Sequence, residues 1–265
     1  MSLFFWIVLF CLLGGVLSVL AAAVFLVLPG GWRERLLPHF ISFAIGALLG
    51  AAFLGLLPHA MAAPGAVGGA DAHDVLLAVL LGVLGFFLLE KTVLWRHCHS
   101  RDCEAHGTEG LPAASGAQAA GTLILLGDAL HNFVDGVLIA AAFLTDFHLG
   151  VVTALAVAAH EIPQEVGDFA VLLYSGFSRG RALLYNLLSS LATLGGGVLA
   201  YFALESLHGV LPYVLAVAAA SFIYIAVADL IPGLHRRPEP AATLRQLLLI
   251  AAGVGVIYIA HSTLH

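Results

Sequence analysis

The stretch Asp128-Ala-Leu-His131-Asn132-Phe-Val-Asp135-Gly136 lies inside a run of Leu, Val, Ala and Ile that is long enough to cross a bilayer. A second stretch, His160-Glu161-Ile-Pro163-Gln164-Glu165-Val-Gly167-Asp168, begins about 30 residues later in similar surroundings. A charged side chain at the centre of a membrane helix costs roughly 2.5–3.5 kcal/mol by insertion scales. Both rows therefore need a partner that compensates their charge, and a divalent metal ion is the obvious one.

The spacing of these polar residues is helical. In the first stretch Asp128, His131, Asn132 and Asp135 stand at 0, +3, +4 and +7, and in the second the polar positions are 0, +1, +4, +5 and +8. Each set falls largely on one helix face. Hydrogen bonding between helices, the alternative, commonly uses Ser, Thr, Asn or Gln. It does not explain two His and five carboxylates, whereas imidazole mixed with carboxylate favours zinc or iron over magnesium or calcium.

The composition indicates a membrane protein. Of 265 residues, 61% are hydrophobic and 10% charged, and the mean hydropathy is +1.04, whereas soluble domains carry about 25% charged residues. We expect one transmembrane domain over residues 1–265, with no nucleic-acid-binding surface. Residues 1–28 lack a basic n-region and are interpreted as a retained helix rather than a signal peptide.

Apolar runs bounded by Pro, Gly or charge predict an all-α fold with eight transmembrane helices. They cover residues 4–29, 39–61, 74–96, 118–143, 149–173, 181–204, 211–233 and 243–263. Each holds about 20 residues or slightly more, which matches a hydrocarbon core of about 30 Å. The alternating pattern of a membrane barrel is absent from the sequence.

The basic residues predict the orientation. They fall in or beside the first, third, fifth and seventh connections: Arg33, Arg35, Lys91, Arg96, Arg101, Arg179, Arg181, Arg236, Arg237 and Arg245. The positive-inside rule then places those connections in the cytoplasm and both termini outside. We expect a multi-pass protein of the plasma (inner) membrane.

A short internal similarity suggests a repeat. Span 2 ends Gly55-Leu-Leu-Pro58 and span 7 ends Asp229-Leu-Ile-Pro232, on opposite sides of the membrane. This fits spans 1–3 and 6–8 as inverted halves around spans 4 and 5, a 3+2+3 arrangement. Chance explains four residues about as well.

Other His, Cys and acidic residues lie outside the spans. The cytoplasmic loop at about 97–117 carries His97, Cys98, His99, Cys103 and His106, which suit a loose zinc acceptor or an incidental linker. His59, near the outer end of span 2, lines an entrance path or simply lies at the interface. Outside, an acidic rim without basic residues could concentrate cations, although ordinary solvated loops explain it almost as well: Asp71, His73, Asp74, Asp146, His148 and His208.

The two motifs resemble the signature of the ZIP family of zinc- and iron-regulated transporters. The pair His-Asn-Phe-Val-Asp-Gly and His-Glu-Ile-Pro-Gln-Glu-Val-Gly-Asp is closest to the branch whose fifth span reads His-Glu-x-Pro-His-Glu-x-Gly-Asp. The resemblance extends to Leu-Leu-Pro58-His59, to Glu90-Lys91 and to Tyr224-x-Ala-x-x-Asp229-Leu-x-Pro232. It covers nearly the whole chain, with eight spans and both termini outside.

The resemblance implies a transport site and a mechanism. The metal ligands would be His131, Asn132 and Asp135 from span 4 with His160, Glu161 and Gln164 from span 5. Transport would be an elevator-like movement of one helix bundle, including these two spans, against the other. Residues for a secondary metal or for the ion pathway are Asp128, Glu165, Asp168, His59, Asn186 and Ser190.

The sequence departs from the family pattern in two places. Gln164 stands where the branch has a second His, and a neutral amide is a weaker ligand; Glu165 lies about 100° further round the helix and is no automatic substitute. Span 6 offers Asn186, Ser189, Ser190 and Thr193 where some members supply a carboxylate for a second metal. One site is therefore expected rather than two.

The predicted function is import of zinc into the cytoplasm, with iron, manganese and cadmium as further candidate ions. We expect no enzymatic activity, no cofactor besides the transported ion, and the lipid bilayer as partner, with a homodimer left open. An intramembrane metalloprotease is an alternative, but its His-Glu-x-x-His motif lacks the second His here. A cation-diffusion-type exporter is another, although such proteins typically have six spans and a soluble metal domain.

Overall fold

The computed structural model describes residues 2–62, 71–97, 114–204, 208–235 and 239–264. Every regular element among these residues is helical. The α-helices are α1 Leu3–Gly14, α2 Val16–Val27, α3 Gly30–Gly50, α4 Leu57–Ala62, α5 Ala72–His97, α6 Ala114–Thr145, α7 Phe147–Tyr174, α8 Arg179–Leu204, α9 Leu211–Tyr224, α10 Ile231–Leu234 and α11 Pro240–Leu264. Two π-helical segments, Ala51–Leu56 and Ile225–Leu230, and one 3-10 turn, His208–Val210, join some of them.

Seven helical stretches of the described chain are long and apolar enough to cross a membrane: Leu3–Val27, Gly30–Ala62, Ala72–Leu89, Leu125–Thr145, Arg179–Leu204, Leu211–Leu234 and Pro240–Ser262. Helix α7 has a comparable 28 residues but carries Glu161, Glu165 and Asp168. The protein is therefore an all-helical, polytopic membrane protein, and α7 as an eighth span stays a prediction.

Two helical runs share an unusual feature. The π-helical segment after α3 ends two residues before Pro58, and the segment after α9 ends two residues before Pro232. A proline lacks the amide that would continue the α-helical bonding, and a π-type turn is one way to accommodate the interruption. The two places are those where the sequence suggests an internal repeat.

The long helices pack in a regular pattern of pairs. Helix α3 packs against α11, and α9 packs against α5. In the same way α6 packs against α8, while α7 packs against α1 and α2. The contact of α3 with α11 thus has a counterpart in that of α9 with α5. The contact of α6 with α8 has a counterpart in that of α7 with α1 and α2.

Small residues allow the closest of these contacts. A Cβ atom built on Gly136 of α6 would overlap the carbonyl of Thr193, and one built on Gly196 of α8 would overlap the carbonyl of Phe133. The backbones of α6 and α8 therefore touch, as small residues permit between membrane helices. This contact brings the polar residues of α8 beside those of α6.

Candidate metal site

The polar rows of α6 and α7 face each other because the two helices form a tight hairpin. A single residue, Asp146, separates the end of α6 from the start of α7. Its Oδ1 accepts hydrogen bonds from the amides of His148 and Leu149, each at 2.9 Å, and so caps α7. The antiparallel arrangement sets the middle of α6 against the middle of α7.

Four side chains meet there, two from each helix. One donor atom from each of His131, Asp135, His160 and Glu161 lies within 4.8 Å of all the others. His131 Nε2 is 3.2 Å from His160 Nε2, and His160 Nε2 is 3.2 Å from Asp135 Oδ2. His131 Nε2 lies 3.7 Å from Asp135 Oδ2 and 3.6 Å from Glu161 Oε1, which is itself 3.7 Å from His160 Nε2.

These separations suit a tetrahedral zinc ion. Ligand bonds of about 2.0–2.1 Å at tetrahedral angles place neighbouring donor atoms about 3.3 Å apart. Four donor atoms define six distances between pairs of atoms, and five of these are between 3.2 and 3.7 Å. These five distances lie within a few tenths of an ångström of the tetrahedral value, and the sixth, between Asp135 and Glu161, lies within 4.8 Å.

One imidazole is already oriented for this purpose. The Nδ1 atom of His160 lies 3.1 Å from the carbonyl oxygen of Ala156, to which it can donate a hydrogen bond. In the tautomer in which Nδ1 donates this bond, Nε2 carries the lone pair directed at the site. The ring of Phe222 from α9 packs edge-on against His160, with ring centroids 6.1 Å apart, and screens this side of the site.

The two carboxylates are buried without hydrogen bonds. Asp135 and Glu161 are 0% exposed, and all four of their carboxylate oxygens lack a hydrogen-bond partner among the described residues. The two imidazoles lie within 3.2–3.7 Å of them, and the two carboxylates also lie close to each other. Buried charge normally requires pairing or a metal, so a divalent cation would satisfy this site.

Asn132 lies beside this set but is engaged elsewhere. Its Oδ1 accepts a hydrogen bond from the Thr193 hydroxyl at 2.8 Å, and its Nδ2 donates to Asp128 Oδ1 at 2.9 Å. Asp128 also accepts a hydrogen bond from Ser189. The Thr193 hydrogen bond uses one of the two lone pairs of this oxygen, and the role of Asn132 as a ligand stays a prediction.

The polar residues of α8 have a role that the sequence reasoning missed. Ser189 and Thr193 stood out only as weak substitutes for a carboxylate, yet they hold Asp128 and Asn132 in place. Their spacing of four residues on α8 matches the spacing of Asp128 and Asn132 on α6, and this is the signal that could have identified them.

The remaining predicted residues are spread along the bundle. Gln164 is half-buried and lies one helical turn after His160. Its role as a ligand stays a prediction. Glu165 is buried, Asp168 is half-buried, and Asn186 and Ser190 are buried on α8. His59 lies on α4, with Nδ1 2.9 Å from the carbonyl oxygen of Gly55.

The predicted cytoplasmic metal loop cannot be placed. His97 is the last residue of α5, and its side chain lies outside the described part of the chain. Cys98, His99, Cys103 and His106 lie outside the described residues altogether.

Sequence comparison identifies relatives among zinc transporters. Residues 95–261 match the family model for the ZIP zinc transporter. The chain is 38% identical over 240 residues to zinc transporter ZIP13 of Pongo abelii, covering 86% of this chain and 67% of the relative. It is 34% identical over 275 residues to zinc transporter ZIP13 of Homo sapiens (86% and 71%), and 31% identical over 277 residues to human zinc transporter ZIP4 (82% and 42%). With its apolar helices and its four-donor site, this chain belongs to the ZIP zinc transporter family.

Proposed function

We propose that this protein imports zinc into the cytoplasm through the four-donor site formed by His131, Asp135, His160 and Glu161. Family membership makes it a multi-pass membrane protein of divalent metal ion transport rather than an enzyme. The proposal rests on the geometry of the donor atoms. Five of the six distances between them are 3.2–3.7 Å, and both carboxylates are fully buried. Iron, manganese and cadmium are further candidate cargoes.

The proposed topology has eight spans in an inverted 3+2+3 arrangement. Helix α7, which is fifth in chain order, joins the seven apolar stretches as the additional span. The helix pairs and the two π-helical segments before Pro58 and Pro232 support the inverted halves. The basic residues support termini outside the plasma membrane, with the start of α6 and the end of α7 on the cytoplasmic side. A homodimer stays a prediction from the sequence.

A carboxylate row extends from the site toward that cytoplasmic side. Asp128 precedes His131 by one turn on α6, and Glu165 follows Glu161 by one turn on α7. Asp128 lies within electrostatic range of both Glu165 and Asp168. The oxygens of buried Glu165 have no hydrogen-bond partner among the described residues. We assign these three carboxylates to the exit path of the ion.

The two groups of helices offer an interface for elevator-type movement. Helices α1, α2, α6, α7 and α8 pack among themselves, and so do α3, α5, α9 and α11. Contacts of α3 with α7 and of α6 with α9 join the groups, and Phe222 against His160 is one of them. An inward-negative potential favours inward movement of a divalent ion by about 4.6 kcal/mol per 100 mV, twice the value for one charge.

Zinc uptake into proteoliposomes tests the proposal. His131→Ala and His160→Ala should each abolish uptake while the protein still inserts. His39→Ala is the matched control, because its Nδ1 also lies near a carbonyl one turn earlier on its helix, that of Arg35, but it stands on α3 away from the four donors. Wild-type uptake in both site variants would contradict the assignment.

Two other readouts separate the alternatives. Net efflux from loaded vesicles under an inward-negative potential would favour an exporter. Peptide cleavage by the pure protein that requires His160 and Glu161 would favour a protease.

A further inference from the structure

A polar cavity lies between α3 and α11, near the end of the bundle where both helices begin. Its volume is about 440 Å³, which falls in the range of about 300–1,000 Å³ that is usual for small-molecule sites. None of its described walls belongs to α6 or α7, so the cavity is separate from the four-donor site. The charged and polar residues of its walls come from both helices: Arg35, His39 and Ser42 from α3, and Arg245 and Gln246 from α11.

The cavity lies directly before a close contact between the two helices. A Cβ atom built on Gly46 of α3 would overlap the carbonyl of Ile250, and one built on Gly253 of α11 would overlap the carbonyl of Phe43. Both glycines lie about one turn beyond the last residues that line the cavity. Their contact fixes the two helices relative to each other, while longer side chains line the space that precedes it.

Two arginines give the cavity a positive charge. Arg35 and Arg245 each follow the first residue of their helix by five positions, so both lie at a similar distance from the helix start. No acidic residue is found among the described residues that line the cavity. Neither guanidinium forms an ion pair with a carboxylate in the described part of the chain. The positive charge is therefore available to an anion from outside the protein.

The guanidinium groups also retain hydrogen-bond donors. Arg245 donates from Nε to the carbonyl oxygen of Ala241 at 3.1 Å, and this bond orients the side chain while leaving the two terminal nitrogens. The planar fork of an arginine matches the oxygens of a phosphate group and can bind two of them at once. Two arginines from different helices thus provide a clamp for one phosphate group.

Exposed apolar side chains adjoin the cavity. Leu244, Leu247 and Leu248 alternate with the wall residues of α11 and are 60%, 57% and 62% exposed. They belong to the apolar stretch Pro240–Ser262, which is long enough to cross a membrane. Trp32, 61% exposed near the start of α3, is typical of residues at the membrane–water interface. A molecule bound here would therefore meet charge at one end and an apolar helix face at the other.

We propose that this cavity binds the phosphate headgroup of an anionic phospholipid, with Arg35 and Arg245 on the phosphate and the exposed leucines of α11 beside the acyl chains. Basic pockets between membrane helices on the cytoplasmic side receive such headgroups. The proposed orientation places the starts of α3 and α11 on that side. By contacting arginines of two helices, the lipid stabilises their pairing. Binding of the lipid requires no step of the proposed zinc import.

Native mass spectrometry of the purified full-length protein in detergent tests the site. Phosphatidylglycerol is the anionic probe, and phosphatidylcholine is the zwitterionic reference. We expect one phosphatidylglycerol molecule to be retained with at least about tenfold higher affinity than phosphatidylcholine, because each arginine near an anionic headgroup strengthens binding. Arg35→Gln combined with Arg245→Gln should abolish this preference. Both positions are exposed, so the protein should still fold.

A second pair of arginines provides the matched control. Arg179 and Arg181 are exposed at the start of α8, on the same side in the proposed orientation, but do not line the cavity. Arg179→Gln combined with Arg181→Gln should leave the preference for phosphatidylglycerol unchanged. Equal losses in the two double variants would indicate diffuse attraction to basic charge and would overturn the proposal, as would a wild type that retains both lipids equally.

Glycerol phosphate distinguishes a lipid from a free phosphate compound, since it carries the phosphate without acyl chains. It should compete with phosphatidylglycerol only at a concentration roughly a hundredfold higher, because burial of acyl chains adds to lipid binding. Competition at equal concentration would overturn the lipid assignment in favour of a soluble phosphate. The measurement uses neither zinc nor a membrane potential, so failure of zinc uptake would refute the proposed import and leave this site unaffected.

Discussion

Replacing Glu161 by Gln tests the charge balance on which metal binding depends. Two carboxylates, Asp135 and Glu161, face two neutral imidazoles at the four-donor site, so a bound divalent ion leaves the site with no net charge. Glu161→Gln keeps the size of the side chain but leaves the occupied site with one positive charge. Both carboxylates are 0% exposed, so surrounding water does not screen this charge.

The magnitude follows from the cost of that charge. An uncompensated charge at the centre of a membrane helix costs roughly 2.5–3.5 kcal/mol. Since 1.4 kcal/mol corresponds to a tenfold change in affinity, zinc should bind roughly 60- to 300-fold more weakly. The half-saturating zinc concentration for uptake should rise in the same direction.

The assay is zinc titration of the purified protein, paired with uptake into proteoliposomes. Glu161→Asp keeps the charge but withdraws the carboxylate from His131 and His160, which lie 3.6 and 3.7 Å from Oε1, so its loss should be smaller. Glu239→Gln, at an exposed position before α11, is the control for removal of an acid. An affinity for Glu161→Gln within threefold of that control would refute the charge-balance reasoning.

Three further predictions concern neighbouring positions. Gln164→His restores the ligand usual in the related branch and should tighten zinc binding and alter metal preference in competitive uptake; unchanged affinity and selectivity would mean that Gln164 is not a ligand. Gly136→Ala should separate α6 from α8, because its Cβ would overlap the Thr193 carbonyl, and should cost about 1–3 kcal/mol as overpacking. It should lower the melting temperature, whereas Gly195→Ala, with open space around its Cβ, should not. Thr193→Val removes the donor to Asn132 Oδ1 and should destabilise the protein by about 1–3 kcal/mol; an unchanged thermal unfolding curve would show that this bond contributes nothing.

Much of the site could be predicted from helical spacing. The positions of His131 and Asp135 on one helix, and of His160 and Glu161 on the next, were enough to expect two facing rows with imidazole and carboxylate donors. The structure brings one donor atom from each of these four within 4.8 Å of the others. Apolar runs likewise predicted the helices, because length and hydropathy are local properties that each segment carries by itself.

What could not be predicted depends on how helices approach one another. Asn132 shares a face with His131 and Asp135, but its side chain binds Thr193 because Gly136 lets α6 and α8 touch. The pairing of His59 with His261 joins residues about 200 positions apart, and no spacing rule connects them.

The one-residue link at Asp146 constrains how an ion can leave. All four proposed ligands belong to α6 and α7, and a connection this short, fixed by its own cap, prevents the two helices from sliding past each other. In the proposed elevator-type movement, the donor atoms would therefore keep their mutual distances while the helix pair moves. Release of the ion would then depend on water, a proton or a competing carboxylate that reaches the donors, rather than on separation of the ligands.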